Sequence, residues 1–148
     1  MKVYLAARYS RREEMLGYAG ELERLGHTVT ARWVFGQAGA AHPDRISAHA
    51  YERAVSVEDV KDVEEADCTI CFSEQPRSTN TRGGRHVEFG MAVAWGRRVI
   101  LVGPRENVFH WLPEVEHYDD WAGLHAALKA EGAALKREGA RRGARLPR

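Results

Sequence analysis

One carboxylate stands at the head of an apolar helix pattern. In the run Gly83-Gly84-Arg85-His86-Val87-Glu88-Phe89-Gly90 two glycines allow a tight turn, and Met91-Ala92-Val93-Ala94-Trp95-Gly96 continues it as an apolar helix. A helix start offers free amides and the positive end of its dipole, so the spacing predicts a Glu88 that lies in the first turn and stays ionised. An ionised, fixed carboxylate can be a nucleophile. It can also do no more than complement the helix terminus, as acidic residues do in many proteins, and Glu88 alone does not separate the two.

Further residues join it once the elements are laid out. Asp59 lies on the helix entering the third strand and Tyr4 on the first strand near its exit, while Arg8, Ser10, Arg11, Arg12, Ser78, Thr79, Thr81, Arg82 and Arg85 crowd two loops. A carboxylate nucleophile with a second carboxylate suits cleavage of a glycosidic bond through a covalent sugar intermediate. Arginines and hydroxyls beside a helix N-terminus also suit a phosphate, although exposed arginine is common and any one of them can be a solvated surface residue.

Other chemistries lack their motifs. There is no Gly-x-x-x-x-Gly-Lys phosphate loop and no Gly-x-Gly-x-x-Gly after the first strand, which disfavours a nucleoside triphosphatase and a dinucleotide oxidoreductase. His86-Val87-Glu88 imitates the His-x-Glu of zinc deaminases, but that chemistry wants Pro-Cys-x-x-Cys downstream, and Cys68 and Cys71 come earlier. Those cysteines lie in a β-branched apolar run and read as two packed thiols, not a redox pair. Gly-x-Ser-x-Gly is absent, so Ser73 has no support as a hydrolase nucleophile. No metal or other cofactor is implied.

The elements that must position these residues alternate. Lys2 to Ala7 reads as a strand. A helix follows with a Ser10/Glu13 capping box, Met15, Tyr18, Ala19, Leu22 and Leu25 at three- and four-residue steps, and a stop at Gly26. His27 to Val34 reads as strand two, and the Gly and Ala stretch from Phe35 to Pro43 as a loop, with Asp44 or Ser47 able to cap the next helix. Ala50 to Ala66 reads as helix, Asp67 to Phe72 as strand three, Ser73 to Arg82 as a polar loop, Arg97 to Gly103 as strand four, Val115 to Tyr118 as a short fifth strand and Trp121 to Leu128 as helix. This alternation predicts an α/β fold, a flavodoxin-like, Rossmann-like, doubly wound parallel sheet of about five strands with helices on both faces. The order 2-1-3-4-5 would put strands one and three side by side and the site in the crevice at their C-terminal ends. The loops Ala6 to Arg12 and Ser73 to Gly84 then define the site.

Composition is that of one domain: 148 residues, 44% hydrophobic and 29% charged, enough for a continuous core without disulfides or metals. Of 22 basic and 21 acidic residues, seven basic and two acidic lie from Lys129 onward, which leaves 15 and 19 in a mildly acidic body. We therefore read 1–128 as the domain and 129–148 as a basic helix end or tail, with no nucleic-acid partner implied by charge. The chain begins directly with a strand pattern and has no run of membrane-spanning length, which gives the expectation of a cytoplasmic protein without a membrane partner.

Val3-Tyr4-Leu5-Ala6-Ala7, Glu58-Asp59-Val60 with Ala66-Asp67, and Gly84 to Gly90 followed by Ala92, Trp95-Gly96 and Val99 resemble the nucleoside 2-deoxyribosyltransferase superfamily, which includes 2'-deoxynucleoside 5'-phosphate N-hydrolases and cytidylate N-glycosidases. The resemblance covers residue 2 to about Gly103 and rests on the order of several weak motifs. It implies Glu88 as the nucleophile on C1' of the sugar, Asp59 as the acid serving the leaving base, and Tyr4 as the hydroxyl orienting the nucleophile. Asp67 is structural on this reading. Ala6, Arg8, Ser10, Arg11, Ser78, Gly84, Arg85 and His86 fall at the substrate-binding positions. The implied activity is hydrolysis of a nucleoside 5'-monophosphate to free base and sugar 5-phosphate, with nucleobase exchange or non-catalytic nucleotide binding as alternatives. The resemblance further implies a homodimer or larger homo-oligomer, for which Asn107 to Leu112 could line a contact. Arg85, His86 and the long Ser73 to Arg82 loop depart from the pattern.

Overall fold

A computed structural model describes residues 1–36, 48–77 and 83–143. Five strands form one parallel sheet: β1 Lys2–Ala6, β2 Thr28–Val29, β3 Cys68–Phe72, β4 Arg98–Val102 and β5 Val115–Tyr118, in the order β2-β1-β3-β4-β5. This is the expected flavodoxin-like order. The register pairs Val3 with Cys68, Ile70 with Ile100 and Val99 with Val115. β3, in the middle, is buried along its whole length, as a strand covered on both faces must be.

Among the described residues three helices connect the strands, α1 Arg12–Arg24, α2 Ala48–Glu65 and α3 Gly84–Ala94, a loop with a 3-10 turn joins β4 to β5, and α4 Trp121–Gly143 follows β5. Successive strand residues point to opposite faces, and the end of β3 shows which helices cover which. Cys71 meets the Arg85 carbonyl of α3, and α2 packs beside α3. The next residue, Phe72, stacks on Tyr18 of α1, which stacks in turn on Trp121 of α4 with ring centroids 4.2 Å apart. α1 buries Met15, Ala19 and Leu22, the stripe its spacing predicts, and Gly26 beyond it adopts a left-handed φ of 88°. Cys68 and Cys71 are free, buried thiols. Asp67 is structural, its carboxylate accepting the Lys2 amide at 2.7 Å across the β1–β3 edge.

The structure corrects four local expectations. Strand two does not run from His27 to Val34. After Thr30 the chain turns, Val34 N–H donating to the Ala31 carbonyl, because α2 captures it: Asp62 accepts the Arg32 amide at 3.0 Å and its guanidinium at 2.9 Å. No Ser10/Glu13 capping box forms. A 3-10 turn, Tyr9–Arg11, leads into α1, and Arg11 and Arg12 instead engage Glu14 and Glu13. Glu88 is the fifth residue of α3, in its second turn and not its first. The last helix continues past Leu128 to Gly143, largely exposed beyond that residue. Among the described residues, no helix is long and apolar enough to cross a membrane.

Candidate active site

A cleft of about 570 Å³ opens at the C-terminal ends of β1 and β3, where the strand order reverses. Its walls come from the β1 exit (Ala7 to Ser10), α2 (Tyr51, Val55, Asp59), the turn into α3 (Gly83 to Arg85), Glu88, and Trp33 with Gly36.

Tyr4 is wholly buried on β1, and its hydroxyl donates to Glu88 Oε1 at 2.8 Å. Burial, followed by the charges of Glu88 and Asp59, holds the Tyr4 phenol well above its ordinary value, so it remains a donor. Burial likewise pushes the Glu88 carboxyl up to about 7, against the Tyr4 hydrogen bond, which lowers it, with Asp59 raising it further. The expectation that Glu88 is held ionised by the helix terminus is therefore corrected: one turn into the helix the dipole has faded, and desolvation decides.

Asp59 reaches the same cleft from α2. Burial, then the neighbouring Asp62 and Glu58, raise it to about 6, while Arg32 opposes them. Its Oδ1 is buried and has no hydrogen-bond partner among the described residues. Asp59 and Glu88 thus line one cleft as two carboxyls raised above their ordinary values, and the Asp59 charge contributes to the rise of Glu88.

Of the sequence-derived binding residues, Arg8, Ser10, Gly84 and Arg85 line the cleft. Ala6 is buried in the core, and its neighbour Ala7 reaches the cleft instead. Arg11 points elsewhere: its guanidinium forks onto Glu14 at 2.7 and 2.8 Å, contacts Glu74 at 3.2 Å and lies over the Phe72 ring. His86 turns to Glu106, with its Nε2 2.9 Å from Oε1. Ser78, with Thr79, Thr81 and Arg82, lies outside the described residues, as do Asp44 and Ser47. Gly83 has a φ of 79°, the left-handed turn the glycine pair suggested.

Sequence reasoning missed the aromatic lining and the acidic partners of the mouth. Trp33, read as part of a strand, lies in the cleft wall with its indole N–H bonded to the Leu5 carbonyl at 2.9 Å, so only its ring is available to a ligand. Tyr9, 73% exposed, sits 6.2 Å from it, centroid to centroid. Glu74 and Glu106 occupy loops without periodicity, and only their long-range ion pairs reveal them. Among the described residues no cluster of His, Cys, Asp or Glu could hold a metal ion.

No protein-family profile matches the chain, and no curated protein matches it in sequence. Solved structures do match it. A 2-deoxyribosyltransferase of the psychrotolerant bacterium Bacillus psychrosaccharolyticus superposes with a TM-score of 0.66 at 20% identity, over 86% of this chain and 96% of that one. The CMP N-glycosidase BcmB of Clostridium botulinum superposes with a TM-score of 0.56 at 21% identity, over 88% of this chain and 99% of that one. Over most of its length, then, the chain has the fold shared by a 2-deoxyribosyltransferase and a CMP N-glycosidase.

Proposed function

We propose that this chain is an enzyme that cleaves the N-glycosidic bond of a nucleoside 5'-monophosphate through a covalent glycosyl ester on Glu88. The observation that carries the reading is the Tyr4 to Glu88 hydrogen bond at the edge of a cleft that also holds the unpartnered Asp59 oxygen. In the first step a Glu88 oxygen bonds to C1' as the bond from C1' to the base nitrogen breaks, and the Asp59 proton goes to the departing base. In the second, water attacks C1', Asp59 takes its proton, and Glu88 leaves as carboxylate. The reactive form thus has Asp59 protonated and Glu88 ionised. Burial raises both carboxyls toward neutrality, so each can gain and lose a proton, and positive charge developing on the sugar ring favours the ionised Glu88 in the transition state.

Support for a phosphate comes from the mouth. Arg8 and Ser10 line the cleft together with Gly83 and Gly84, where α3 begins with the positive end of its dipole. One observation favours a second reading, exchange of nucleobases on an unphosphorylated 2-deoxyribose: Arg11 and Arg85 are already engaged by Glu14, Glu74 and Glu106, which reduces the positive charge available to a phosphate. The same superfamily reading gives a homo-oligomer, for which Val108, Phe109 and Trp111, each more than 60% exposed, supply an apolar face; sedimentation velocity tests it.

Chromatography of free base after incubation with nucleosides and their 5'-monophosphates, with and without a second base, separates the readings. Release from monophosphates alone, lost in Glu88→Ala, supports hydrolysis. Appearance of an exchanged nucleoside supports transfer. No turnover with retained nucleotide binding would replace both with a binding module.

A further inference from the structure

Glu106 lies outside the cleft, on the loop after β4, yet it holds three parts of the rim together. Its Oε1 accepts from Arg85 Nη2 and lies 2.9 Å from His86 Nε2, both in the first turn of α3. Its Oε2 accepts the backbone amide of Glu74, at the exit of β3, at 2.6 Å. Glu74 in turn reaches Arg11 at 3.2 Å and Arg8 at 3.8 Å, at the exit of β1. On its own loop the Glu106 amide donates to Nδ1 of buried His110 at 3.2 Å, and Asn107 lies within hydrogen-bond reach of both His110 and His86. The side chains of Arg85 and Glu106 are only 4% and 10% exposed, so this is a desolvated ion pair and not a solvated surface contact.

The start of α3 needs such a clamp. Its N-cap is Gly83, which has no side chain to satisfy the first amides, and no acidic residue stands in the first turn. Three residues beyond Arg85 on the same helix, Glu88 must meet a Tyr4 hydroxyl fixed in the sheet. A small rotation or slide of the helix would lengthen that bond, since Tyr4 is wholly buried and has no room to follow.

We propose that Glu106 is a positioning residue, which fixes the first turn of α3 against the β3 exit and thereby keeps Glu88 in register with Tyr4. The proposal rests on the glycosidase or transferase reading of Glu88. The groups facing Glu88 are Tyr4 from β1, Asp59 from α2 and the buried Cys71 thiol from β3; those facing Glu106 are Arg85 and His86 from α3, His110 from its own loop, the Glu74 amide and the same Cys71.

The test measures kcat, KM and the pH profile of base release for wild type, Glu106→Gln, Glu106→Ala, Tyr4→Phe and the double variant Tyr4→Phe/Glu106→Ala. Loss of register should lower kcat about ten- to a hundredfold with KM changed less than about threefold. The acid limb of kcat/KM should move upward toward that of Tyr4→Phe, and the double variant should move it no further than Tyr4→Phe alone. Glu106→Gln, which keeps one acceptor oxygen and the side-chain shape, should fall between wild type and Glu106→Ala and serves alone if the alanine variant does not fold. An unchanged acid limb and kcat in the Glu106 variants that fold, or additive shifts in the double variant, would overturn the proposal while leaving the function standing. Absence of wild-type turnover would strike the function itself.

Discussion

The Tyr4 hydroxyl and Glu88 Oε1, 84 residues apart in sequence, are joined at 2.8 Å from an interior strand of the sheet to a helix that walls the cleft. The bond engages one of the two Glu88 carboxylate oxygens. It also opposes the burial that pushes the carboxyl up to about 7.

Tyr4→Phe removes a donor to the ionised form of Glu88, so the carboxyl should rise above 7 and the acid limb of kcat/KM should move to higher pH. Below that limb the ionised fraction shrinks, and activity at pH 6 should fall by more than activity at pH 8. A pH–rate profile of the two proteins checks it, and an unmoved limb would contradict it.

Glu88→Gln should stabilise the fold at neutral and higher pH. The folded carboxyl lies near 7 and its ordinary value is 4.5, so between those values the folded state binds more protons than the unfolded state. Stability from this group is fully present below about 4.5 and is lost as pH rises through 7. Removing the titration should raise stability at pH 8 by about 1–3 kcal/mol and flatten the decline in Tm between pH 5 and 8. Thermal melts of both proteins across that range read the effect.

How much of this was legible in the sequence differs from residue to residue. Strands β1, β3 and β4 are largely apolar runs, α1 carries its core stripe at helical spacing, and the glycine pair marked the start of α3, so a parallel α/β sheet followed from alternation, while strand order and cleft followed from the flavodoxin-like order. The depth of Glu88 did not follow. A one-turn difference in where a helix begins changes the dominant force on the carboxyl from dipole to desolvation. Nor could local pattern show that Arg11 also reaches Glu74, or that Asp62 pulls Arg32 out of the β2 line, since those pairings join segments distant in sequence; the Arg11–Glu14 fork, by contrast, is an i,i+3 pair at the start of α1.

On the proposed mechanism, Asp59→Asn removes the proton given to the leaving base. Turnover of ordinary nucleobase substrates should fall about 10²- to 10⁴-fold, whereas a p-nitrophenyl glycoside 5-phosphate, whose leaving group needs no proton, should lose far less. Equal losses on both substrates would assign Asp59 another role.

Asp62→Ala should be destabilising. The Asp62 side chain is buried, accepts the Arg32 amide and guanidinium, and helps to hold the turn that carries Trp33 into the cleft wall. Losing these bonds, while the partly exposed Arg32 guanidinium turns to solvent, should cost about 1–3 kcal/mol, measured by urea unfolding. A loss below about 1 kcal/mol would mean that Glu58, 3.7 Å from the guanidinium, suffices to hold it.

The central claim is a covalent glycosyl ester on Glu88, and its most direct test is stereochemical. Turnover of a β-nucleoside 5'-monophosphate in aqueous methanol traps the sugar as a methyl glycoside that cannot mutarotate, and proton NMR assigns its anomer. Two successive displacements at C1' predict the β-methyl glycoside 5-phosphate, with retained configuration. The α anomer as the initial product would mean direct attack by solvent and would contradict Glu88 as nucleophile.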